Sequence, residues 1–290
     1  METPRAGDLP PMPEASLVRD AFGPAALPGD ANAALVWQRY LACWEPGGRR
    51  PLAKGKEGPL QLFVDAFNAR GPRSSHGQAL AAAHARLDAA GLPGATLSAT
   101  TPLIVGLGAD HPLEVNLSFD PVLGVPVIPG SGLKGLCRAW SRSEGIPEPD
   151  RVRILGPERR PKEAMGEAVD GAGSVSFLDA LPVGWPRLRV EIMTPHHTVY
   201  NVDLKRWLEA GHTAASPGPN PPIPGDWESP VPVPFLAVER GSRFCFRLAP
   251  RGRGPSAVAD QQTALTWLRQ GLDLFGIGAK TAVGFGAFGG

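Results

Sequence analysis

Glycine and proline occur so often in this chain that they limit the length of every helix and strand it can form. The sequence has 36 glycines and 33 prolines, which together approach a quarter of its 290 residues. They stand beside strong apolar runs, and 42% of all residues are apolar, which is enough for a buried core. The sequence therefore predicts a globular protein built from short elements that are separated by turns.

Charge and cysteine content exclude several classes of protein. The formal net charge is only +1, so an anionic partner must meet a local basic patch and not a generally basic surface. Cys43, Cys137 and Cys245 lie far apart and form no C-x-x-C pair, which argues against a disulfide framework and against a thiolate zinc site. We therefore expect a cytoplasmic protein without a metal or another cofactor.

The sequence lacks the features of a membrane protein and of a secretory leader. No apolar run approaches the roughly 20 residues that a membrane-spanning helix needs. The first residues include Glu2, Asp8 and scattered prolines, and they lack the charged and apolar regions of a signal peptide. We expect no membrane partner.

The spacing of apolar residues predicts helices in the first third of the chain and strands in the middle. An extended arm is expected at residues 1–30 and two insertions at 144–172 and 214–234, which are rich in proline, glycine or charge. The chain then divides into an N-terminal arm and helical region, residues 1–95, and a core domain, residues 96–290. The predicted helices cover 32–44, 60–69 and 76–90, and the predicted strands cover 97–106, 113–119, 175–178, 188–193 and 243–248.

A stretch in mid-chain switches from strand spacing to helix spacing. The apolar run 122–128 predicts a strand, Pro129 and Gly130 end it, and a helix is predicted from 133 to about 141. Ser131 is predicted to cap this helix, whose first N–H groups attract phosphate. The helix has an apolar face and a basic face, formed by Leu133, Leu136, Cys137 and Trp140 and by Lys134, Arg138 and Arg142.

The C-terminal stretch carries a second glycine-rich loop. A helix predicted at 264–275 leads into the sequence GIGAKTAVGFG at 276–286. Lys280 stands among glycines whose missing Cβ atoms allow close backbone approach, a combination that suits contact with a phosphate chain. We expect residues 122–128 and 282–288 to lie in one antiparallel sheet, with the mid-chain helix packed on one face.

The glycine-rich loops allow two other interpretations. A phosphate loop of a nucleotide hydrolase is excluded, because Lys280 follows Ala279 and not a glycine, and because no helix follows it. A purely structural role, with glycines that serve tight packing and a simple strand-to-helix turn in mid-chain, stays open. The aromatic residues of the helical apolar stripes are predicted to be core and not base-stacking residues: Trp37, Trp44, Trp140, Trp267 and Phe275.

Together the two loops, IPGSGLKG at 128–135 and GIGAKTAVGFG at 276–286, resemble the RAMP superfamily of CRISPR-Cas systems. Within it, the chain is similar to the family of sixth subunits of Cmr-type (type III-B) effector complexes. The matches run in order over roughly two thirds of the chain, and several together are far more specific than any one alone. The further motifs are TPLIVGLG at 101–108, HPLE at 111–114, FLDALP at 177–182, MTPHH at 193–197 and PVPFL at 232–236.

The resemblance implies an α+β fold with a ferredoxin-like (RRM-like) βαββαβ core that is enlarged by insertions. It implies a subunit that joins a backbone of other RAMP subunits near the 3′ part of the CRISPR RNA, in an assembly that recognises complementary target RNA. Residues 217–234 and the arm before Ala31 are expected to contact neighbouring subunits. The basic segment 151–162, with Arg153, Arg159 and Arg160, is expected to be a solvated loop or to follow an RNA strand.

The predicted RNA contacts come from both loops, and no catalytic residue is predicted. Target-RNA cutting in the family is attributed to a loop aspartate of other subunits, and Asp120 and Asp179 are candidates here by residue type alone. The predicted contacts are Ser131, Gly132, Lys134, Arg138, Gly276, Gly278, Lys280 and Thr281. The alternative is a metal-independent endoribonuclease, with acid and base groups drawn from His196, His197, Tyr200 and Lys205.

Overall fold

The computed structural model describes residues 31–41, 55–92, 94–111, 113–158, 171–194, 198–213, 216, 218, 220–225 and 232–290. The helices are α1 (Ala33–Leu35, continued by a π-helical turn at Val36–Tyr40), α2 (Glu57–Ala69), α3 (Ser75–Ala89), α4 (Gly130–Ser143), α5 (Glu148–Leu155), α6 (Thr198–Glu209) and α7 (Pro255–Leu274). The strands are β1 (Ala95–Ala99), β2 (Val175–Phe177), β3 (Leu181–Pro182), β4 (Leu188–Met193), β5 (Val233–Val238), β6 (Arg243–Phe246), β7 (Leu248–Pro250) and β8 (Phe288–Gly289).

A four-stranded antiparallel sheet in the order β3-β6-β1-β8 organises the fold. Strand β1 pairs with β6 from Ala95 opposite Phe246 to Ser98 opposite Arg243, and with β8 at Ala99 opposite Phe288. Helix α4 lies in the chain between β1 and β3, and helix α7 lies between β6 and β8. The predicted mixture of helices and sheet is therefore confirmed.

Helices α4 and α7 pack directly against each other. The Trp140 and Trp267 rings lie 6.2 Å apart, and Cys137 Sγ lies 3.8 Å from the carbonyl oxygen of Ala264. Gly271 lets the helices approach, because a Cβ at that position would lie 3.1 Å from Leu136 Cγ. The apolar face predicted for α4 is thus the one that is buried.

A cluster of rings joins the N-terminal helices to the segments around residue 119. Trp37 contacts Phe63 and Phe119, and Phe67 stacks on Trp185 at a ring distance of 4.8 Å. The predictions of core positions for Trp37, Trp140 and Trp267 are confirmed, while Trp44 lies outside the described residues. The prediction for Phe275 is wrong: it follows the last residue of α7 and is 38% exposed.

Residues 122–128 do not form the predicted strand of the sheet. The carboxylate of Asp120 accepts hydrogen bonds from the N–H groups of Val122 and Leu123, which fixes a turn at the start of the run. Pro126 has no N–H group for a ladder, so the run makes only isolated bridges, Phe119 with Pro126 and Ile128 with Ala180. Residues 113–119 likewise form no regular strand.

The C-terminal run 282–288 also joins the sheet less than predicted. Residues Thr281–Val283 form a 3₁₀ turn, and only Phe288 and Gly289 pair with β1. The glycines of this run have positive φ angles, 92° at Gly284 and 75° at Gly286, which are incompatible with a regular strand. The expected single sheet of residues 122–128 and 282–288 is therefore wrong, apart from Phe288.

The described residues form two compact units. One contains those up to Arg189 and from Leu236 onward, and the other contains those of Val190–Phe235. The second unit holds α6 and the described part of the predicted insertion 214–234. Among the helices of the described residues, none combines the length and the hydropathy that a membrane span requires.

Candidate functional site at two glycine-rich loops

Helix α4 begins two residues earlier than a Ser131 cap would require. It starts at Gly130, its N-cap residue is Pro129 in an extended conformation, and Ser131 is an exposed helical residue. A proline has no side-chain acceptor, and the carboxylate of Asp179 supplies one by accepting a 2.7 Å hydrogen bond from Gly130 N–H. The prediction that Ser131 caps the helix is therefore wrong, and the cap comes from a distant loop.

Gly130 and Gly132 serve different purposes at the start of α4. A Cβ at Gly130 would overlap the carbonyl oxygen of Phe177, so a glycine is required for the chain to pass that loop. A Cβ at Gly132 would lie at an ordinary contact distance of 3.9 Å from Ile277 Cδ1. Since Ile277 belongs to the second glycine-rich loop, the two predicted loops lie side by side.

The second loop is closed and anchored by backbone hydrogen bonds. Ile277 N–H donates to Gly286 O at 2.8 Å, which closes the loop at its base. Gly286 N–H donates to Pro102 O and Ala279 N–H to Ile104 O, both at 2.8 Å. The loop is therefore held against the segment that follows β1, and its position is set by the fold.

The conformations of three glycines in this loop have a structural explanation. A Cβ at Gly278, where φ is +96°, would overlap the carbonyl oxygen of Ile104, and one at Gly286 would overlap that of Ile277. A Cβ at Gly276, where φ is +68°, would lie 2.9 Å from Gly286 O. These positions need glycine for packing within the chain, whatever else binds there.

Lys280 lies at the tip of the second loop in a left-handed conformation, with φ +60°. Its carbonyl oxygen accepts hydrogen bonds from Val283 N–H at 3.1 Å and Phe285 N–H at 3.2 Å, which fix the turn. In the part of the chain that the structure describes, no carboxylate forms an ion pair with its ammonium group. Lys280 and Thr281 are both half-buried.

Arg138, on the basic face of α4, is held by hydrogen bonds within the protein. Its guanidinium donates to the carbonyl oxygens of Leu155 at 3.3 Å and Gly156 at 3.0 Å, and its side chain is only 16% exposed. These carbonyls lie at the C-terminal end of helix α5, where a cation interacts favourably with the helix dipole. Arg138 therefore lies on the predicted basic face of α4 but does not face outward.

The other two basic residues of α4 are Lys134 and Arg142, of which Arg142 is more exposed than Arg138. Arg142 is half exposed and forms an ion pair with Glu158, whose carboxylate also lies 3.7 Å from Arg138 Nη1. Lys134 is half-buried and lies one turn after the start of the helix. In the chain, Lys134 lies two residues after Gly132, and Lys280 lies three residues after Ile277.

The residues of the alternative ribonuclease do not form a described catalytic group. Tyr200 and Lys205 both lie on α6, where a separation of five residues places them about 140° apart around the helix axis. Lys205 Nζ lies 3.8 Å from the carboxylate of Glu209. His196 and His197 lie outside the described residues.

The aspartates that were candidates by residue type both have structural contacts. Asp120 holds the turn at 122–123, and Asp179 caps α4. Within the described ranges, no group of three or more histidines, cysteines and carboxylates could hold a metal ion. The cap role of Asp179 could have been suspected from sequence only through Pro129, which leaves a helix start without an acceptor of its own.

A sequence model of the RAMP superfamily matches residues 96–289, a region that contains the four-stranded sheet and both glycine-rich loops. This match covers about two thirds of the chain, so the chain belongs to the RAMP superfamily.

Individual relatives point to one branch of the superfamily. The chain is similar to the CRISPR system Cmr subunit Cmr6 of Pyrococcus furiosus, with 26% identity over 235 residues, which are 63% of this chain and 64% of that protein. A chain of a cryo-EM structure of the type III-B Cmr-beta complex bound to cognate target RNA shares the fold. Its TM-score is 0.52 at 19% identity, and the match covers 80% of this chain and 70% of that one. The crystal structure of Cmr6 from Pyrococcus furiosus matches with a TM-score of 0.36 and 23% identity, over 68% of this chain and 97% of that one.

Proposed function

We propose that this chain is a non-catalytic RNA-binding subunit of a type III-B CRISPR-Cas effector complex. In this role it contacts the guide RNA toward its 3′ part and helps to cap the backbone of RAMP subunits in antiviral defence. The observation that carries the proposal is the adjacency of the two glycine-rich loops, through Gly132 and Ile277, within the region that matches the RAMP superfamily.

The proposed contacts are those that the sequence predicted, with roles that follow from their surroundings. Ser131, Gly132, Lys134, Lys280 and Thr281 are the proposed direct contacts, because they line the start of α4 and the tip of the second loop. Gly276 and Gly278 shape that loop, and Arg138 adds positive charge from its place beside α5. Charge-assisted hydrogen bonds from lysine and from backbone N–H groups would hold phosphates without reading sequence.

The proposed fold core is ferredoxin-like (RRM-like), with a βαββαβ order and large insertions. The antiparallel order β8-β1-β6-β3 and the places of α4 and α7 in the chain support it. Elements outside this sheet, including α5, α6, β2 and β7, then belong to insertions and extensions.

The proposed partners are the guide RNA, complementary target RNA held by the whole assembly, and other RAMP subunits in the cytoplasm. The relatives support this proposal: one is called a Cmr subunit, and the other comes from a Cmr complex bound to its target RNA. The proposal of a non-catalytic role rests on Asp120 and Asp179, whose carboxylates are engaged in holding the fold.

Binding of single-stranded RNA at several salt concentrations tests the proposal. In the double variant Lys134→Ala/Lys280→Ala, two phosphate contacts are lost, so the log-log slope of affinity against salt should flatten by about 1.4, at about 0.7 per contact. The matched control is Arg73→Ala/Arg86→Ala, which removes the same charge from exposed residues of α3 and the turn before it. An unchanged slope in the folded double variant would place the RNA elsewhere, and cleavage of repeat RNA without metal would favour the ribonuclease.

A further inference from the structure

An exposed basic loop joins β7 to α7. It has the sequence Arg251-Gly252-Arg253-Gly254, and all four residues are exposed. We call residues 251–254 the arginine–glycine loop. None of the predicted RNA contacts lies in it.

A hydrogen bond fixes the backbone at the start of the arginine–glycine loop, whereas the space beside its two glycines is open. Arg251 N–H donates a 2.7 Å hydrogen bond to Ser174 O, which continues the β2–β7 pairing by one residue. A Cβ at Gly254 would have no neighbour within 4 Å, and one at Gly252 would be 3.6 Å from Ala257 Cβ. A strand of another molecule can therefore approach the loop backbone closely.

Asp260, which contacts the anchor residue Ser174, and Asp150 both form ion pairs with Arg153. Asp260 accepts a hydrogen bond from Ser174 Oγ at 2.6 Å and pairs with Arg153. Asp150 pairs with the same arginine at 3.0 Å. Neither Arg251 nor Arg253 has an ion-pair partner in the described ranges, so the loop presents two uncompensated positive charges.

The β2–β7 ladder connects this loop to the start of α4. Val175 lies opposite Pro250 at the end of the ladder next to the loop, and Phe177 lies opposite Leu248 at the other end. Two residues beyond Phe177, Asp179 caps α4 at Gly130. From Ser174 to Asp179 an extended chain spans at most about 17 Å, at about 3.3 Å per residue, a length that a binding site of several nucleotides can cover.

We propose that the arginine–glycine loop binds the phosphate backbone of single-stranded RNA and extends the site at the glycine-rich loops. This inference rests on the proposed RNA-binding function. The chemistry favours RNA because each planar guanidinium can donate two parallel hydrogen bonds to a phosphate and can also stack on a base. Alternating glycines keep side chains out of the path of the strand, as in other arginine–glycine segments that bind RNA without sequence preference.

The test uses the full chain and a fluorescently labelled oligouridine RNA, with anisotropy titrations between about 50 and about 200 mM salt. We expect the wild-type chain to bind at the lowest salt concentration. In Arg251→Ala/Arg253→Ala the log-log salt slope should flatten by about 1.4, for two contacts at about 0.7 each. Arg251→Lys/Arg253→Lys should keep the slope and weaken the affinity, because charge is preserved while the paired hydrogen bonds are lost.

The control Arg73→Ala/Arg86→Ala should leave the slope unchanged, and circular dichroism should show that every variant is folded. Absence of RNA binding by the wild-type chain at the lowest salt overturns both this inference and the proposed function. RNA binding with an unchanged slope in the alanine pair overturns only the inference. If that alanine pair keeps its RNA slope but no longer joins other RAMP subunits, the loop meets an acidic protein surface and the inference is likewise overturned.

Discussion

The carboxylate of Asp179 accepts a 2.7 Å hydrogen bond from the backbone N–H of Gly130, although 49 residues separate the two in the chain. The bond places a negative charge at the start of α4, where the sequence alone suggested a phosphate site. A carboxylate there satisfies one N–H group of the helix and interacts favourably with its dipole. Any RNA phosphate at the loops must therefore bind beside Asp179 and not in its place.

The variant Asp179→Asn should keep the hydrogen bond that caps α4 and remove the negative charge beside it. The amide oxygen can still accept the bond from Gly130, so the free energy of unfolding should change little, whereas Asp179→Ala should lose about 1 kcal/mol. Removal of the exposed charge should tighten RNA binding by up to about five-fold, since such interactions amount to at most about 1 kcal/mol. Urea unfolding and RNA titration measure the two effects. Weaker RNA binding by the asparagine variant would mean that Asp179 itself contacts the RNA.

Gly278 and Gly135 should respond in opposite ways to replacement by alanine. At Gly278 the new Cβ would overlap Ile104 O in a left-handed backbone, so Gly278→Ala should destabilise the protein by more than about 1 kcal/mol. At Gly135, inside α4, a Cβ would have no neighbour within 4 Å, and the change should stabilise by about 0.5–1 kcal/mol. Thermal or urea unfolding gives both values. Equal effects at the two positions would contradict the structural role of Gly278.

Replacement of Arg138 should lower the stability of the protein, whereas replacement of Lys280 should lower its affinity for RNA. Arg138→Ala removes two hydrogen bonds to the end of α5 from a largely buried side chain and should cost about 1–3 kcal/mol of folding free energy. Lys280→Ala removes a charge without a described ion-pair partner, so stability should be unchanged while RNA affinity falls. Unfolding curves and RNA titrations of each single variant test this contrast. A large loss of stability in Lys280→Ala would show that the lysine holds the loop together.

How far the sequence predicted the fold depends on whether the determining contacts are local. The apolar face of α4 follows from helical spacing, and the structure buries Leu133, Cys137 and Trp140 as predicted. The run 122–128 has the composition of a strand, but the side chain of Asp120 and the missing N–H of Pro126 decide its conformation. Amino-acid composition carries no information about a single hydrogen-bond acceptor or a single missing N–H group, so the strand prediction failed there.

The candidate site also has features that local sequence predicts and features that depend on tertiary contacts. Glycine patterns located both loops, and the structure brings them together at Gly132 and Ile277. The helix cap from Asp179 and the contact of Arg138 with the end of α5 depend on tertiary structure, because their partners lie 49 and 17 or 18 residues away. No local pattern contains that information.

Protonation of His111 should make the protein less stable in mild acid. Its ring stacks on Trp37 at 4.2 Å, its Nε2 lies 3.0 Å from Trp37 O, and its Nδ1 accepts a hydrogen bond from Leu113 N–H at 3.2 Å. With Nδ1 as acceptor and Nε2 as donor, the folded protein holds the neutral ring. Burial lowers the pKa of His111 below its usual value, and the hydrogen bond to Trp37 O offsets this only in part.

In the unfolded chain His111 takes up a proton near its ordinary pKa of about 6.5, whereas the folded protein takes it up only at lower pH. The stabilisation is therefore fully present above about pH 6.5 and decreases as the pH falls, by at most about 1.4 kcal/mol per pH unit. In His111→Gln this part of the pH dependence should disappear, whereas the control His212→Gln, outside the ring cluster, should keep it. Urea unfolding midpoints between about pH 7.5 and about pH 5.5 measure the difference. An identical pH dependence in wild type and His111→Gln would show that another group is responsible.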